Sequence, residues 1–125
     1  MATVLIADDD RDTRALVRVV LTHAGHVVIE ASSGAEALEN AAALAPDLVL
    51  LDLSMSAMSG AEFLRALRAD ARTKAIRVAL YTASPMSPAL RDFIEIYAVV
   101  DVVPKPSEPP ELIAAVERAL NRPRD

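Results

Sequence analysis

Thr3-Val4-Leu5-Ile6-Ala7-Asp8-Asp9-Asp10 decides how this 125-residue chain is read, because a short apolar run stops there against three carboxylates. Five residues rich in Val, Leu and Ile make a strand-length segment too short for an ordinary helix. Runs of the same kind recur at residues 27–31, 48–51, 78–81 and 99–103. Nearly continuous apolar runs mark strands buried on both faces, as in a parallel sheet covered by helices. Amphipathic stretches follow each of them. The first covers residues 12–23 with Leu16, Val17, Val20 and Leu21 expected inward, Asp10 as its N-cap and Gly25 just past its end. The second covers 34–44 and stops at Pro46, and the third covers 60–69 with Phe63, Leu64 and Leu67 on one face. The fourth, 88–97, aligns Leu90, Phe93, Ile94 and Tyr97; the fifth, 110–120, aligns Leu112, Ile113, Val116 and Leu120. A proline at each of these last two starts suits a first helical turn. Five such βα units predict a doubly wound α/β domain: one five-stranded parallel sheet, right-handed crossovers, and helices on both faces.

The composition fits one folded unit. Hydrophobic residues make up 53% of the chain and charged residues 25%, which excludes intrinsic disorder. The length suits a single domain, predicted at residues 1–121 with 122–125 as a C-terminal tail. A net charge of −5 argues against a direct electrostatic grip on nucleic acid or on an anionic membrane. The absence of cysteine removes disulfides, zinc-thiolate sites and cysteine nucleophiles. The N-terminus has no basic segment ahead of its apolar run, and no apolar run nears the ~18 residues of a membrane span, so a cytoplasmic location is expected. His23 and His26 flank a helix-to-strand turn and are read as surface residues, not as a metal pair. Gly34-Ala35-Glu36 and Ser59-Gly60 lack the spacing of phosphate-binding loops.

In an open α/β sheet, ligands bind beyond the carboxyl ends of the strands. Strand one ends there in Asp8, Asp9 and Asp10, strand three in Asp52 and strand four in Thr82, while Lys105-Pro106 follows strand five. Strand two delivers only Ser32 and Ser33. Asp10 suffices as a helix cap, which leaves Asp8 and Asp9 for other work. Asp52, placed directly after Leu48-Val49-Leu50-Leu51, needs a specific partner to remain charged. Asp8, Asp9 and Asp52 carry three negative charges against the one positive charge of Lys105, a deficit that a divalent cation fills. Oxygen ligands without thiolate or imidazole favour Mg²⁺ or Mn²⁺ over Zn²⁺, and Mg²⁺ commonly shares its shell with a phosphate. A carboxylate is a competent nucleophile toward phosphorus, and a hydroxyl and an ammonium can bind the remaining phosphoryl oxygens. Asp52, Thr82 and Lys105 match those roles.

Taken together, Leu5-Ile6-Ala7-Asp8-Asp9-Asp10, Pro46-Asp47-Leu48-Val49-Leu50-Leu51-Asp52, Tyr81-Thr82-Ala83 and Val103-Pro104-Lys105-Pro106 resemble the receiver domain of two-component response regulators, of the chemotaxis-regulator type. The resemblance spans essentially the whole chain. It implies a flavodoxin-like fold with strand order 2-1-3-4-5. It also implies that Asp52 accepts a phosphoryl group from a phosphohistidine of a histidine kinase or phosphotransfer protein. Asp9, Asp52 and the Ser54 carbonyl would hold Mg²⁺ (or Mn²⁺), with Asp8 acting largely through water. Thr82 and Lys105 would contact the phosphoryl oxygens. Such a domain catalyses only its own phosphorylation and dephosphorylation, passes the signal to an output protein, and can form a homodimer through helix four, strand five and helix five.

Several positions depart from the family pattern. Val102 stands where an aromatic switch residue is common, Ala98 where a glycine is usual, and Ser107 where an aromatic often follows the Lys-Pro pair. The loop Met55-Ser56-Ala57-Met58-Ser59-Gly60 replaces the usual proline and Met-Asp-Gly. These changes keep a second function class in play: an unphosphorylated pseudo-receiver acting as a constitutive protein-binding module, which the complete acidic set opposes. An aspartate-nucleophile phosphatase is disfavoured, because Asp52-Leu53-Ser54 lacks the second acid of an Asp-x-Asp site. The Lys105-Pro106 bond is expected to be cis.

Overall fold

The computed structural model describes residues 1–55 and 58–123. Ser56 in the departing loop and the last two residues of the expected tail therefore lie outside the described residues. Five strands alternate with five helices: β1 (Thr3–Ala7), α1 (Arg11–His23), β2 (Val27–Ala31), α2 (Gly34–Leu44), β3 (Leu48–Leu51), α3 (Gly60–Ala69), β4 (Arg77–Thr82), α4 (Pro88–Ile96), β5 (Asp101–Pro104) and α5 (Pro109–Leu120). The strands form one parallel sheet in the order β2-β1-β3-β4-β5.

Alternation along the strands divides the core into two layers, since successive side chains point to opposite faces. Leu5, Ala7, Val49, Leu51, Val78 and Leu80 pack with Ala37 and Ala41 of α2, Phe63, Leu64 and Leu67 of α3, and Leu90 of α4. Val4, Ile6, Leu48, Leu50, Ala79, Tyr81 and Val103 pack with Val17, Val20 and Leu21 of α1 and Leu112, Ala115 and Val116 of α5. The side chain of Asp10 caps α1 as the sequence predicts, and those of Ser33, Ser59 and Ser87, which the sequence reading did not single out as caps, cap α2, α3 and α4.

Three sequence expectations need correction. Leu16, expected inward, is 49% exposed; it sits about 90° around the helix from the centre of the stripe formed by Val17, Val20 and Leu21. His26 is buried rather than a surface residue. Its Nδ1 accepts from the Ala2 N–H at 3.3 Å and its Nε2 lies 3.7 Å from Glu117 Oε2, so the ring fills the space between the start of the chain and α5. The fifth strand begins at Asp101, not at Val99. Ala98 N–H donates to the Glu95 carbonyl at 3.4 Å and Val99 N–H to the Ile94 carbonyl at 3.0 Å, the paired bonds that close a helix through a left-handed residue. Ala98 supplies that residue with φ +55°, so the apolar Val99 ends α4 instead of starting β5.

Candidate functional site

The acidic edge is built by strand pairing that continues one residue past β1 and β3. Asp8 N–H donates to the Ala31 carbonyl at 3.1 Å, and Asp52 N–H donates to the Ala7 carbonyl at 3.0 Å. Both carboxylates are thereby fixed side by side at the carboxyl end of the two central strands. Asp8 is fully buried and Asp52 is 7% exposed. One ligand atom from each of Asp8, Asp9 and Asp52 lies within 4.8 Å of the others. Asp10, the remaining member of the triplet, turns away to cap α1, and its hydrogen bonds from the Thr13 hydroxyl and the Asp12 N–H hold its carboxyl below the usual range.

Lys105 enters from the far side of the edge. Its backbone N–H donates to the Thr82 carbonyl at 3.0 Å, and the Lys105–Pro106 peptide is cis, as expected. Its Nζ donates to Asp8 Oδ2 at 2.6 Å and stands 3.9 Å from Asp52 Oδ1. Burial pushes the Asp52 carboxyl above its usual range, opposed by the Ser54 N–H and the Lys105 charge and reinforced by Asp8 and Asp9. The Ser54 N–H donates to Asp52 Oδ1 at 3.1 Å. Thr82, also buried, closes the same end of β4, where its Oγ1 accepts from the Ser84 N–H at 3.1 Å.

The structure thus brings Asp8, Asp9, Asp52 and Lys105 into one cluster and places Ser54 and Thr82 at the same strand ends. Three supporting contacts escaped the sequence reading. Arg14 Nη1 donates to the Asp8 carbonyl at 2.9 Å while its Nε pairs with Glu30 at 3.2 Å. Met58 packs so tightly on Gly34 that a Cβ there would lie 2.7 Å from its sulfur, and Leu53 does the same at Gly60. These two glycines let the loop after Asp52 lie close against α2 and α3. The Met58–Gly34 contact joins segments 24 residues apart, and the other two join residues six and seven apart across a strand-to-helix turn, at spacings that announce nothing by themselves.

A fold of this topology with paired acids beyond β1, an acid beyond β3, a hydroxyl beyond β4 and a lysine beyond β5 defines a class, and comparison with known proteins agrees. The family model for the response regulator receiver domain matches residues 4–117. The chain belongs to the response regulator receiver domains of two-component systems. It is 33% identical over 120 residues to the phosphate regulon transcriptional regulatory protein PhoB of Pseudomonas aeruginosa, which covers 96% of this chain and 52% of that protein. It is 34% identical over 122 residues to the DNA-binding response regulator MtrA of Mycolicibacterium smegmatis, covering 98% of this chain and 52% of that one. The chain therefore spans about half the length of these curated relatives. Among solved structures, the chemotaxis protein CheY4 of Vibrio cholerae matches with a TM-score of 0.89 at 30% identity, covering 95% of this chain and 98% of that one. The N-terminal domain of a response regulator receiver protein from Methanoculleus marisnigri matches with a TM-score of 0.80 at 35% identity, over 98% of this chain and 99% of that domain. No described helix is long and apolar enough to cross a membrane.

Proposed function

We propose that this domain is a phosphoacceptor in which Asp52 takes the phosphoryl group of a phosphohistidine on a histidine kinase or phosphotransfer protein. The observation that supports it best is the clustering of Asp8, Asp9 and Asp52 within 4.8 Å, with the Lys105 ammonium against Asp8 and beside Asp52. Three carboxylate donors without thiolate or imidazole suit Mg²⁺ or Mn²⁺. Asp8, Asp9, Asp52 and the Ser54 carbonyl would hold the ion, which supplies charge neutralisation for the phosphoryl oxygens when bound.

The chain's own groups do the rest. An Asp52 carboxylate oxygen attacks phosphorus, the P–N bond of the donor breaks, and the imidazole leaves with the bonding pair. Lys105 stabilises charge on a phosphoryl oxygen, and the Thr82 hydroxyl donates a hydrogen bond to another. Ser54, through its N–H, orients the Asp52 oxygen opposite the attacking one. Self-phosphorylation and self-dephosphorylation are the only catalysis assigned. The module acts in the cytoplasm and signals by changing a contact with an output protein or with a second copy through α4, β5 and α5. Direct nucleic-acid contact is not assigned to it.

Incubation with acetyl phosphate and Mg²⁺ followed by intact-mass measurement tests the reading. One phosphoryl adduct is expected, lost in Asp52→Asn and lost on chelation. Equal incorporation in Asp52→Asn, or incorporation indifferent to chelator, contradicts it. A constitutive binding module would show no adduct under any of these conditions.

A further inference from the structure

Tyr81 immediately precedes the site hydroxyl Thr82 on β4, so its side chain enters the opposite layer, beneath α1 and α5. There it is 2% exposed. Its ring face lies under the end of Lys105, with Nζ 5.3 Å from the ring centroid, inside the ~6 Å reach of a cation–π contact. The turn that carries Lys105 is closed separately, by the Ser107 hydroxyl donating to the Pro104 carbonyl. One aromatic side chain therefore lies directly under the ammonium that enters the site.

This arrangement matters because of what a lysine is. An ammonium on a four-carbon stem has many rotamers and prefers water, and the Lys105 side chain is still 20% exposed. A rigid buried ring with two torsions removes alternatives that an aliphatic side chain of similar bulk would leave open. The ring also offers no competing carboxylate, so it holds the charge near Asp8 and Asp52 without neutralising it. From these contacts, and resting on the phosphoacceptor reading above, we infer that Tyr81 is a positioning residue for Lys105: its ring face keeps the ammonium within reach of a phosphoryl group on Asp52.

The chain contains two lysines, Lys74 and Lys105, so the side-chain resonances are readily assigned and Lys74, which is exposed, serves as the internal reference. In lysine-labelled protein, the Lys105 Hε protons are expected upfield of those of Lys74 through the ring current. Tyr81→Phe keeps that displacement and Tyr81→Leu collapses it. In acetyl phosphate assays at saturating Mg²⁺, Tyr81→Leu lowers the rate constant about fivefold and Tyr81→Phe, which keeps the ring face, leaves it near wild type, while half-saturating Mg²⁺ stays within about twofold of wild type. A side chain that only fills the core would shift rate and Mg²⁺ affinity together and leave the Lys105 resonance where it was. A wild-type Lys105 resonance coincident with that of Lys74, or a Tyr81→Leu protein with wild-type rate, overturns the inference. Absence of any adduct in wild type sinks the phosphoacceptor reading and the catalytic half of this inference with it, whereas the resonance comparison still decides whether Tyr81 places Lys105.

Discussion

The two edges of the sheet use charge in opposite ways. At the amino ends of the strands, charged side chains tie down the main chain. Arg68 donates to the carbonyls of Tyr97, Lys74 and Ile76 at 2.9, 2.9 and 2.6 Å. Arg77 donates to the Arg122 carbonyl at 2.7 Å, and Asp47 accepts from the Thr3 N–H at 2.8 Å. At the carboxyl ends, Asp8, Asp9 and Asp52 cluster, with the Lys105 ammonium against Asp8 and beside Asp52, and burial makes the charge on Asp52 costly. The first edge lowers the energy of the fold. The second buries the Asp52 carboxylate at a cost in stability that Ser54 and Lys105 offset only in part, and sites of that kind are where function is expected.

If that contrast is right, deleting charge at the two edges has opposite effects. The largest is expected at Arg68. Three hydrogen bonds from a guanidinium to backbone carbonyls are lost together in Arg68→Ala, which should cost about 2–4 kcal/mol in urea unfolding. Phosphorylation of the folded fraction should be unchanged. A loss below about 0.5 kcal/mol would remove Arg68 from the scaffold account.

Removing charge at the other edge should stabilise. The Asp52 carboxyl is raised in the folded state, so its protonated form is favoured there. The stability it contributes is complete below the ordinary value of 3.8 and disappears as pH rises through the raised folded value. At pH 7 without divalent cations, Asp52→Asn should melt about 2–6 °C above wild type, with the gap closing as pH falls toward 4. Equal melting at pH 7, or a lower melting temperature for the variant, would show that burial of Asp52 is already compensated.

A smaller effect separates two helix ends with the same geometry. Both α1 and α4 close through a left-handed residue, Gly25 at φ +94° and Ala98 at φ +55°. Glycine adopts that conformation without steric cost and alanine does not. Ala98→Gly should therefore gain about 0.5–1 kcal/mol in unfolding free energy, and a loss would mean that the alanine methyl packs usefully enough to offset the strain.

The smallest expected effect concerns the face beyond the site. Val102 is partly buried against the α2–α3–α4 layer. A valine has one side-chain torsion with a strong preference and no reach to swing between buried and exposed positions. Beryllofluoride with Mg²⁺ is expected to move amide resonances of residues 82–88 more than those of β5 and α5. Shifts in β5 and α5 as large as those beside Asp52 would show that coupling to this face needs no aromatic residue at Val102.

The fold was legible because its signals are local. Apolar runs, the Asp10 cap and prolines at two helix starts each act within a few residues, and alternation along the strands assigns the helices to their layers. The site's ionic members were legible for a related reason: a parallel sheet collects whatever ends its strands at one edge, so Asp8, Asp52, Thr82 and Lys105 had to converge. Leu16 was misplaced because it lies at the margin of a narrow apolar stripe. Val99 was assigned to the strand because an apolar residue closing a helix looks like the first residue of the strand that follows. Tyr81 under Lys105 and Met58 on Gly34 were invisible, since each depends on three-dimensional proximity between distant segments, and Arg14 on the Asp8 carbonyl was invisible because it depends on how the chain turns from β1 into α1.

The most direct test of the contrast between the edges is the response of thermal stability to Mg²⁺ in wild type, Asp52→Asn and Arg68→Ala. An ion held only by the native acidic cluster stabilises by mass action, about 2.7 kcal/mol at a concentration a hundred times its dissociation constant. Wild type and Arg68→Ala should show the same Mg²⁺-dependent rise in melting temperature, from different starting points, and Asp52→Asn should lose most of it. An equal rise in Asp52→Asn, or a rise that vanishes in Arg68→Ala, would contradict the division of the molecule into a scaffold edge and a cation-binding edge.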